Sequence, residues 1–313
     1  MFNRFFSSAN RMSSTYKPVF LRALLDLADL QNPQKARKMV GKQWVEQRNG
    51  KIIVDLNFIV VRFAKYYWDM EYSFHLKHAQ EPRGASITNM IERVHKKEGL
   101  EKPPTAADIA GGSMEAFRRE AIQKSIKKHV WTHLLTNMEG LYEKDRWTIT
   151  LDEDIVGFLN VHRTLLRRGI NDVLTRYLEK INRFTPQISN KIDAERPPRI
   201  QLDRDTKIRM KHWQDSKCFY CRGDLSSPHV DHVIPFNYVF STDSYNCTLA
   251  CQKCNCTKSD KLPIERLFCQ VLERNDYQGS YFKEKKCPYD ENSYNLLYKN
   301  CAAEYNRDKL FEP

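Results

Sequence analysis

The sequence predicts a mainly α N-terminal domain followed by a small α+β module pinned by cysteines. Three observations lead there. Apolar residues recur at helical spacing through much of residues 16–184, with proline and glycine marking the breaks. All nine cysteines fall at or after Cys218, and four of them form two C-x-x-C pairs. Between those pairs, His229-Val230-Asp231-His232-Val233-Ile234-Pro235 alternates polar and apolar residues as a half-buried strand does. A chain of 313 residues has room for both parts.

Residues 1–15 are expected as a disordered leader. Met1 to Lys17 holds Arg, Phe and several Ser but no acidic residue, as mitochondrial presequences do, and Met12 offers an alternative start. The helical domain spans 16–184. Phe20, Leu21, Leu24, Leu25, Leu27 and Leu30 mark the first helix, with Pro18 near its start. Pro33 interrupts before a polar helix, Gln34 to Arg48, and Asn49-Gly50 reads as a turn. Asp55 is placed to cap an aromatic-rich helix from Leu56 to Asp69, and Ser86 to cap Ile87 to Lys97. After breaks at Lys102-Pro103-Pro104 and Gly111-Gly112, Ser113 opens a basic helix to Lys128, continued by Val130 to Met138. Trp147 to Leu151 reads as a short extended piece, and a last helix runs from Val161 to Ile181. Thr185 to Ile200 contains three prolines, so 185–203 reads as a linker. The C-terminal module, 204–313, begins with a short helix, Arg204 to Trp213, and ends with helices over Pro263 to Glu273 and Glu291 to Tyr305.

Composition narrows the function. No apolar run reaches the roughly 18–20 residues that span a bilayer, so no membrane partner is expected. The net charge is +12. Residues 1–200 hold 34 Lys and Arg against 23 Asp and Glu, while residues 201–313 hold 17 against 16. The positive excess therefore lies in the N-terminal two thirds. Such an excess suits a polyanionic partner through counterion release, or a solvated basic surface.

The cysteines are too local for a secreted disulfide scaffold. Cys218, Cys221, Cys251 and Cys254 supply four thiolates, which suit a closed tetrahedral Zn²⁺ site. A closed site leaves no open position, so this zinc is expected to be structural. The 29 residues between the pairs exceed a common zinc-ribbon spacing and leave room for a hairpin. Cys247, Cys256, Cys269, Cys287 and Cys301 lack paired spacing and read as ordinary thiols. On a regular strand Asp231 and His232 point to opposite faces, so both serve one phosphate only if the chain turns or bulges there. Asn255 and Lys258, three apart on the helix opened by the second pair, share a face.

The order Asp231-His232, then Asn246, then Asn255 on a Cys-bearing helix resembles the HNH nuclease family, in its variant with Asn at the third motif position. Residues 230–263 are also similar, without a gap, to the HNH domain of RNA-guided CRISPR nucleases, although no companion RuvC-like motif is evident. The resemblance implies a ββα-metal module that hydrolyses phosphodiesters. It implies His232 as general base, with Asp231 and Asn255 as oxygen ligands of a catalytic Mg²⁺ or Mn²⁺. It gives Asn246 the role of holding the hairpin loop and orienting the base. Lys258 falls to the phosphate backbone or to Asp231.

A module of 46 residues brings little sequence recognition of its own, so the helical domain is expected to recognise the nucleic acid or a sensor partner. Candidate contacts are Arg118, Arg119, Lys124, Lys127, Lys128, Arg163, Arg167 and Arg168. Tyr16 to Leu25 resembles the start of helical N-terminal domains in bacterial restriction-type HNH proteins. Together these readings imply a DNA endonuclease of restriction or anti-phage defence, acting on double-stranded DNA in a prokaryotic cytoplasm. A homodimer or a defence-system partner protein is the expected assembly. An RNA-cleaving HNH nuclease and a catalytically inactive zinc-stabilised nucleic-acid-binding protein stand as alternatives.

Overall fold

A computed structural model of the chain describes residues 2–6, 12, 14–79, 86–100, 103–131, 138, 140–193, 202–287, 289–305 and 310–313. The chain divides into two compact units, Met1–Arg183 and Phe184–Pro313. Among the described residues, no helix is long and apolar enough to cross a membrane.

The first unit is mainly helical. Helix α1 (Tyr16–Leu25) is almost wholly buried. The segment expected as a helix from Gln34 to Arg48 is α-helical only at Pro33–Ala36, passes through a 3-10 turn at Lys42–Trp44 and ends in strand β1 (Val45–Arg48). The cause lies in the next segment. Lys51–Asp55 forms β2, whose Ile-Ile-Val centre favours extended backbone, and Val45 pairs with Val54. Asn49 and Gly50 join the two strands with positive φ at both positions, as a two-residue hairpin turn requires.

Asp55 caps α2 (Leu56–Trp68), its side chain accepting from the N–H of Asn57 at 2.7 Å. Helix α3 (Ser86–Glu98) begins at the expected serine. The basic tract after Ser113 is helix α4 (Glu115–Ala121), widening into a π-helical segment over Ile122–Trp131. Most of the helix expected over Val130 to Met138 lies outside the described residues. Strands β3 (Glu143–Lys144) and β4 (Thr148–Asp152) complete a four-stranded antiparallel sheet in the order β1-β2-β4-β3. Helix α5 (Glu153–Val161) follows β4 directly, ahead of the expected Val161 start, and α6 (Arg163–Ile181) closes the unit. Part of the expected disordered leader is ordered. Asn3–Phe6 is helical, and Phe2 and Phe5 are buried, Phe2 stacking on Phe158.

The second unit begins at Phe184, one residue before the segment expected as a linker. Helix α7 (Ile188–Asp193) buries Lys191, which donates to the Tyr238 carbonyl at 2.6 Å. The rest of that stretch, 194–201, lies outside the described residues. Helix α8 (Arg204–Trp213) is capped by Asp203. Strands β5 (His229–His232) and β6 (Cys247–Ala250) form an antiparallel hairpin, followed by helix α9 (Gln252–Lys258). Strand β7 (Leu262–Pro263), helices α10 (Glu265–Tyr277), α11 (Gly279–Glu284) and α12 (Glu291–Glu304), and strand β8 (Leu310–Phe311) wrap this core. Strands β7 and β8 pair in parallel, so the end of the chain returns to the residues just after α9. Phe219, Leu249, Phe268, Tyr294 and Phe311 share one apolar core with Cys218 and Cys254.

Candidate functional site

The cysteine centre is assembled from two knuckles. Cys218 and Cys221 close a tight turn through Cys218 N–H to Gly223 O at 2.9 Å and Arg222 N–H to Cys218 O at 2.9 Å. Cys251 is the N-cap of α9, and Cys254 lies one turn along it. Phe219 N–H bonds Leu249 O at 3.0 Å, which ties the first knuckle to β6. The four Sγ atoms lie within 4.8 Å of one another, with Cys221 and Cys251 3.9 Å apart. A zinc ion at ~2.3 Å from four tetrahedral sulfurs separates them by roughly 3.8 Å, whereas a disulfide holds sulfurs at about 2.05 Å. The residues therefore fit a tetrahedral cation and not a pair of disulfides. The N–H of Cys254, with neighbouring thiols, draws the Cys251 thiol down to about 7, while burial raises Cys218 and Cys254. A bound cation allows all four to lose their protons together. Among the described residues this is the cysteine, histidine and carboxylate cluster whose ligand atoms converge.

The second layer is built on the hairpin. Its register is regular, Asp231 opposite Thr248 and His232 opposite Cys247. No bulge intervenes. The strand instead ends at His232, and the chain bends at Val233 and Ile234. Asp231 is buried, and its Oδ2 takes two partners: the Tyr220 hydroxyl at 2.5 Å and Lys258 Nζ at 3.0 Å. Burial first, and the Asp231 charge second, push the Tyr220 hydroxyl well above its usual range, so it remains a donor. Both contacts fall on Oδ2.

Lys258 is fully buried. Besides Asp231 it donates to the His232 carbonyl at 2.6 Å, so one ammonium fixes both residues of the Asp-His pair. The His232 imidazole is half-buried and packs edge-to-face with Phe236, centroids 5.1 Å apart, and its Nε2 is shielded with no hydrogen-bond partner among the described residues. Burial lowers its pKa from 6.5. Lys258 acts in the same direction and Asp231 opposes it.

Asn246 holds the bend. Its Oδ1 accepts from Ile234 N–H at 2.9 Å and from Tyr294 Oη at 2.7 Å, its Nδ2 donates to Ile234 O at 2.9 Å, and its own carbonyl receives Val233 N–H at 2.8 Å. Asn255 sits on α9, half-buried, on the face that Lys258 turns toward β5. Among the described residues, no hydrogen bond joins its side chain to Asp231 or His232.

Tyr220, Tyr294 and Gln214 are partners that motif spacing did not reveal. Gln214 Nε2 donates to Leu249 O at 2.8 Å, and its Oε1 meets Leu249 N–H and the Thr248 hydroxyl at 3.0 Å each.

The basic residues expected to bind nucleic acid in the first unit fare unevenly. Arg118 is buried, donating to Asn57 Oδ1 and to the carbonyls of Ile109 and Gly111 with its guanidinium over Trp44, so it is a structural residue and not a surface contact. Arg163 is held by Asp29 at 2.6 Å, and Arg167 acts electrostatically on the buried Asp26. Arg119 and Lys124 pair with Glu115 and Glu120, each at 2.7 Å. Lys127 lies over Trp147, 3.9 Å from the ring centroid. Lys128 and Arg168 are both exposed.

Residues 218–261 match the family model described as HNH endonuclease. The match spans both cysteine pairs, the hairpin and α9. No curated protein and no solved structure matches the chain.

Proposed function

We propose that the HNH endonuclease domain at residues 218–261 makes this chain a divalent-metal-dependent endonuclease that hydrolyses DNA phosphodiesters. The observation that carries the reading is the His232 imidazole. It is kept neutral by burial, has a nitrogen free of protein partners, and stands beside an Asp231 carboxylate that Lys258 and Tyr220 hold still.

His232 takes a proton from water at Nε2, the oxygen of that water forms the new bond to phosphorus, and the bond from phosphorus to the leaving sugar oxygen breaks. A neutral imidazole is the form that accepts the proton, which is what its burial secures. The nitrogen is shielded from solvent, so a water reaches it only once the packing around the imidazole opens. Asn246 fixes the bend that follows His232 and thereby the direction of the imidazole. Asp231 and Asn255 are the oxygen donors for Mg²⁺ or Mn²⁺, a carboxylate and an amide being hard ligands that suit those ions. When bound, the ion supplies Lewis acidity at the phosphate and stabilises the departing oxygen. The Cys218, Cys221, Cys251 and Cys254 centre serves as the structural zinc that holds the first knuckle against α9.

Duplex DNA as substrate and a place in restriction or anti-phage defence are supported by the likeness of Tyr16 to Leu25 to restriction-type HNH proteins and by the basic excess of residues 1–200. Purified chain is to be incubated with Mg²⁺ and duplex DNA, single-stranded DNA or RNA, beside His232→Ala. Duplex DNA should be cut, and the variant should lose at least about a hundredfold. Equal cleavage by both proteins would remove His232 from the mechanism, and cleavage of RNA alone would replace the substrate.

A further inference from the structure

The second unit carries a groove that the phosphodiester chemistry does not use. It encloses about 630 Å³ between α8 and the turn from α10 into α11, lined by Ile208, Arg209, His212, Trp213, Tyr277 and Tyr281, among others. Its rim mixes apolar and polar groups: Tyr277 is 84% exposed and Ile208 55% exposed, beside the exposed Arg209, His212 and Ser280. Its floor is aromatic. Tyr281 is buried, its hydroxyl bonded to Thr206 at 2.6 Å, and the exposed Arg209 guanidinium lies 4.4 Å over its ring. Trp213 is half-buried, with Arg274 on it.

The charge beside the groove is unspent. Helix α8 holds Arg204, Lys207, Arg209 and Lys211 against the single Asp205. Among the described residues none of the four is in an ion pair, unlike Arg119 and Lys124 of the first unit. The Tyr277 ring open to solvent, next to cations that make no ion pair, offers a surface on which a base stacks while its phosphate meets an arginine.

The groove is also tied to the Asp-His pair. Gln214 follows Trp213 directly and bonds Thr248, which stands opposite Asp231 in the hairpin. The path from the Trp213 Cα to the Asp231 Cα through those groups is roughly 20 Å at most.

We propose that this groove binds an unpaired stretch of the nucleic-acid substrate, one base stacking against Tyr277 and its phosphate meeting Arg209. The inference rests on the reading of the domain as a nuclease and adds, beside the duplex that is cut, an unpaired stretch held at a separate groove.

The test reads binding alone, so cleavage and groove are separable. Full-length protein carrying His232→Ala is titrated, by fluorescence anisotropy, with a labelled 12-nucleotide single-stranded DNA, the same sequence as RNA, and the paired duplex. Adding Tyr277→Ala should weaken binding of the unpaired strands about 5- to 150-fold, the range of one base–aromatic stack, and leave the duplex unchanged. Tyr277→Phe should bind as the parent does. Arg209→Ala should make the dependence of log affinity on log salt shallower by about 0.7 for the unpaired strand. The sugar that binds more tightly identifies the natural strand as DNA or RNA. Unchanged binding of both unpaired strands by Tyr277→Ala would overturn the inference. An equal loss on paired duplex would overturn it too, by making the surface indifferent to pairing. Either result leaves the cleavage assay of His232→Ala standing on its own.

Discussion

Replacing Lys258 by methionine isolates the contact on which the candidate site is built. The ammonium is fully buried, 3.0 Å from Asp231 Oδ2 and 2.6 Å from the His232 carbonyl. Methionine fills nearly the volume of the lysine stem, so cavity formation contributes little. What is lost is charge. Asp231 remains a buried carboxylate with Tyr220 as its one donor on Oδ2, and the His232 carbonyl loses its side-chain partner. Removing one member of a buried ion pair costs about 3–5 kcal/mol. That loss belongs to the second unit, and the amides of residues 229–250 report it through hydrogen exchange. At about 1.4 kcal/mol per tenfold, those amides should exchange roughly 10² to 4 × 10³ times faster in Lys258→Met. Adding Asp231→Asn to Lys258→Met removes the stranded charge and should recover a large part of the loss, because the two residues act on each other and not independently. A loss under about 1 kcal/mol, as for a surface pair, would refute the reasoning. So would a double variant no more protected than the single one.

Three further outcomes follow. Cys218→Ser should reduce zinc to well under one equivalent by elemental analysis and loosen the second unit to limited proteolysis; full zinc with an intact unit would remove the four-sulfur centre from the account. The acid limb of kcat/KM against pH should fall below 6.5, since burial lowers His232 and the unprotonated ring is the base, and Phe236→Ala should move it up toward 6.5; a limb above 6.5 in the unaltered protein would contradict this. In the first unit, burial holds His78 down to about 3 from an ordinary 6.5, so its contribution to stability is full above pH 6.5 and is lost toward pH 3, at about 1.4 kcal/mol per pH unit. Glu71, raised by burial to about 7 and 3.7 Å from His78, works in the opposite sense between 4.5 and 7, weakened by its partial exposure. His78→Gln should therefore flatten the fall in stability most clearly below pH 4.5; an unchanged slope in urea titrations would contradict it.

The parts of the fold that the sequence shows are those where local chemistry decides. Asp55 starts a helix because its short carboxylate accepts from the first-turn N–H of Asn57. Cys218, Cys221, Cys251 and Cys254 are legible because thiolate spacing is itself the geometry of the site. The segment Gln34 to Arg48 failed because its pairing partner, Ile52 to Val54, is an element in its own right, and a hairpin gains bonds that a local pattern cannot count. Arg118 failed for a different reason. Its charge is visible in sequence, but the two carbonyls and Asn57 that take it inside are brought there by tertiary packing. The same holds for Tyr220, which lies between two cysteines and gives no sign that its hydroxyl meets Asp231. The leader shows how far two phenylalanines change an outcome, since Phe2 and Phe5 find apolar partners where composition suggested none.

The measurement that reaches the centre of the account is Mn²⁺ binding to zinc-loaded protein, followed by electron paramagnetic resonance. One Mn²⁺ should bind beyond the zinc, with affinity reduced at least about tenfold in both Asp231→Ala and Asn255→Ala while zinc stays in place. Mn²⁺ affinity unaltered in both variants would place the catalytic ion elsewhere and take the chemistry away from the Asp-His pair.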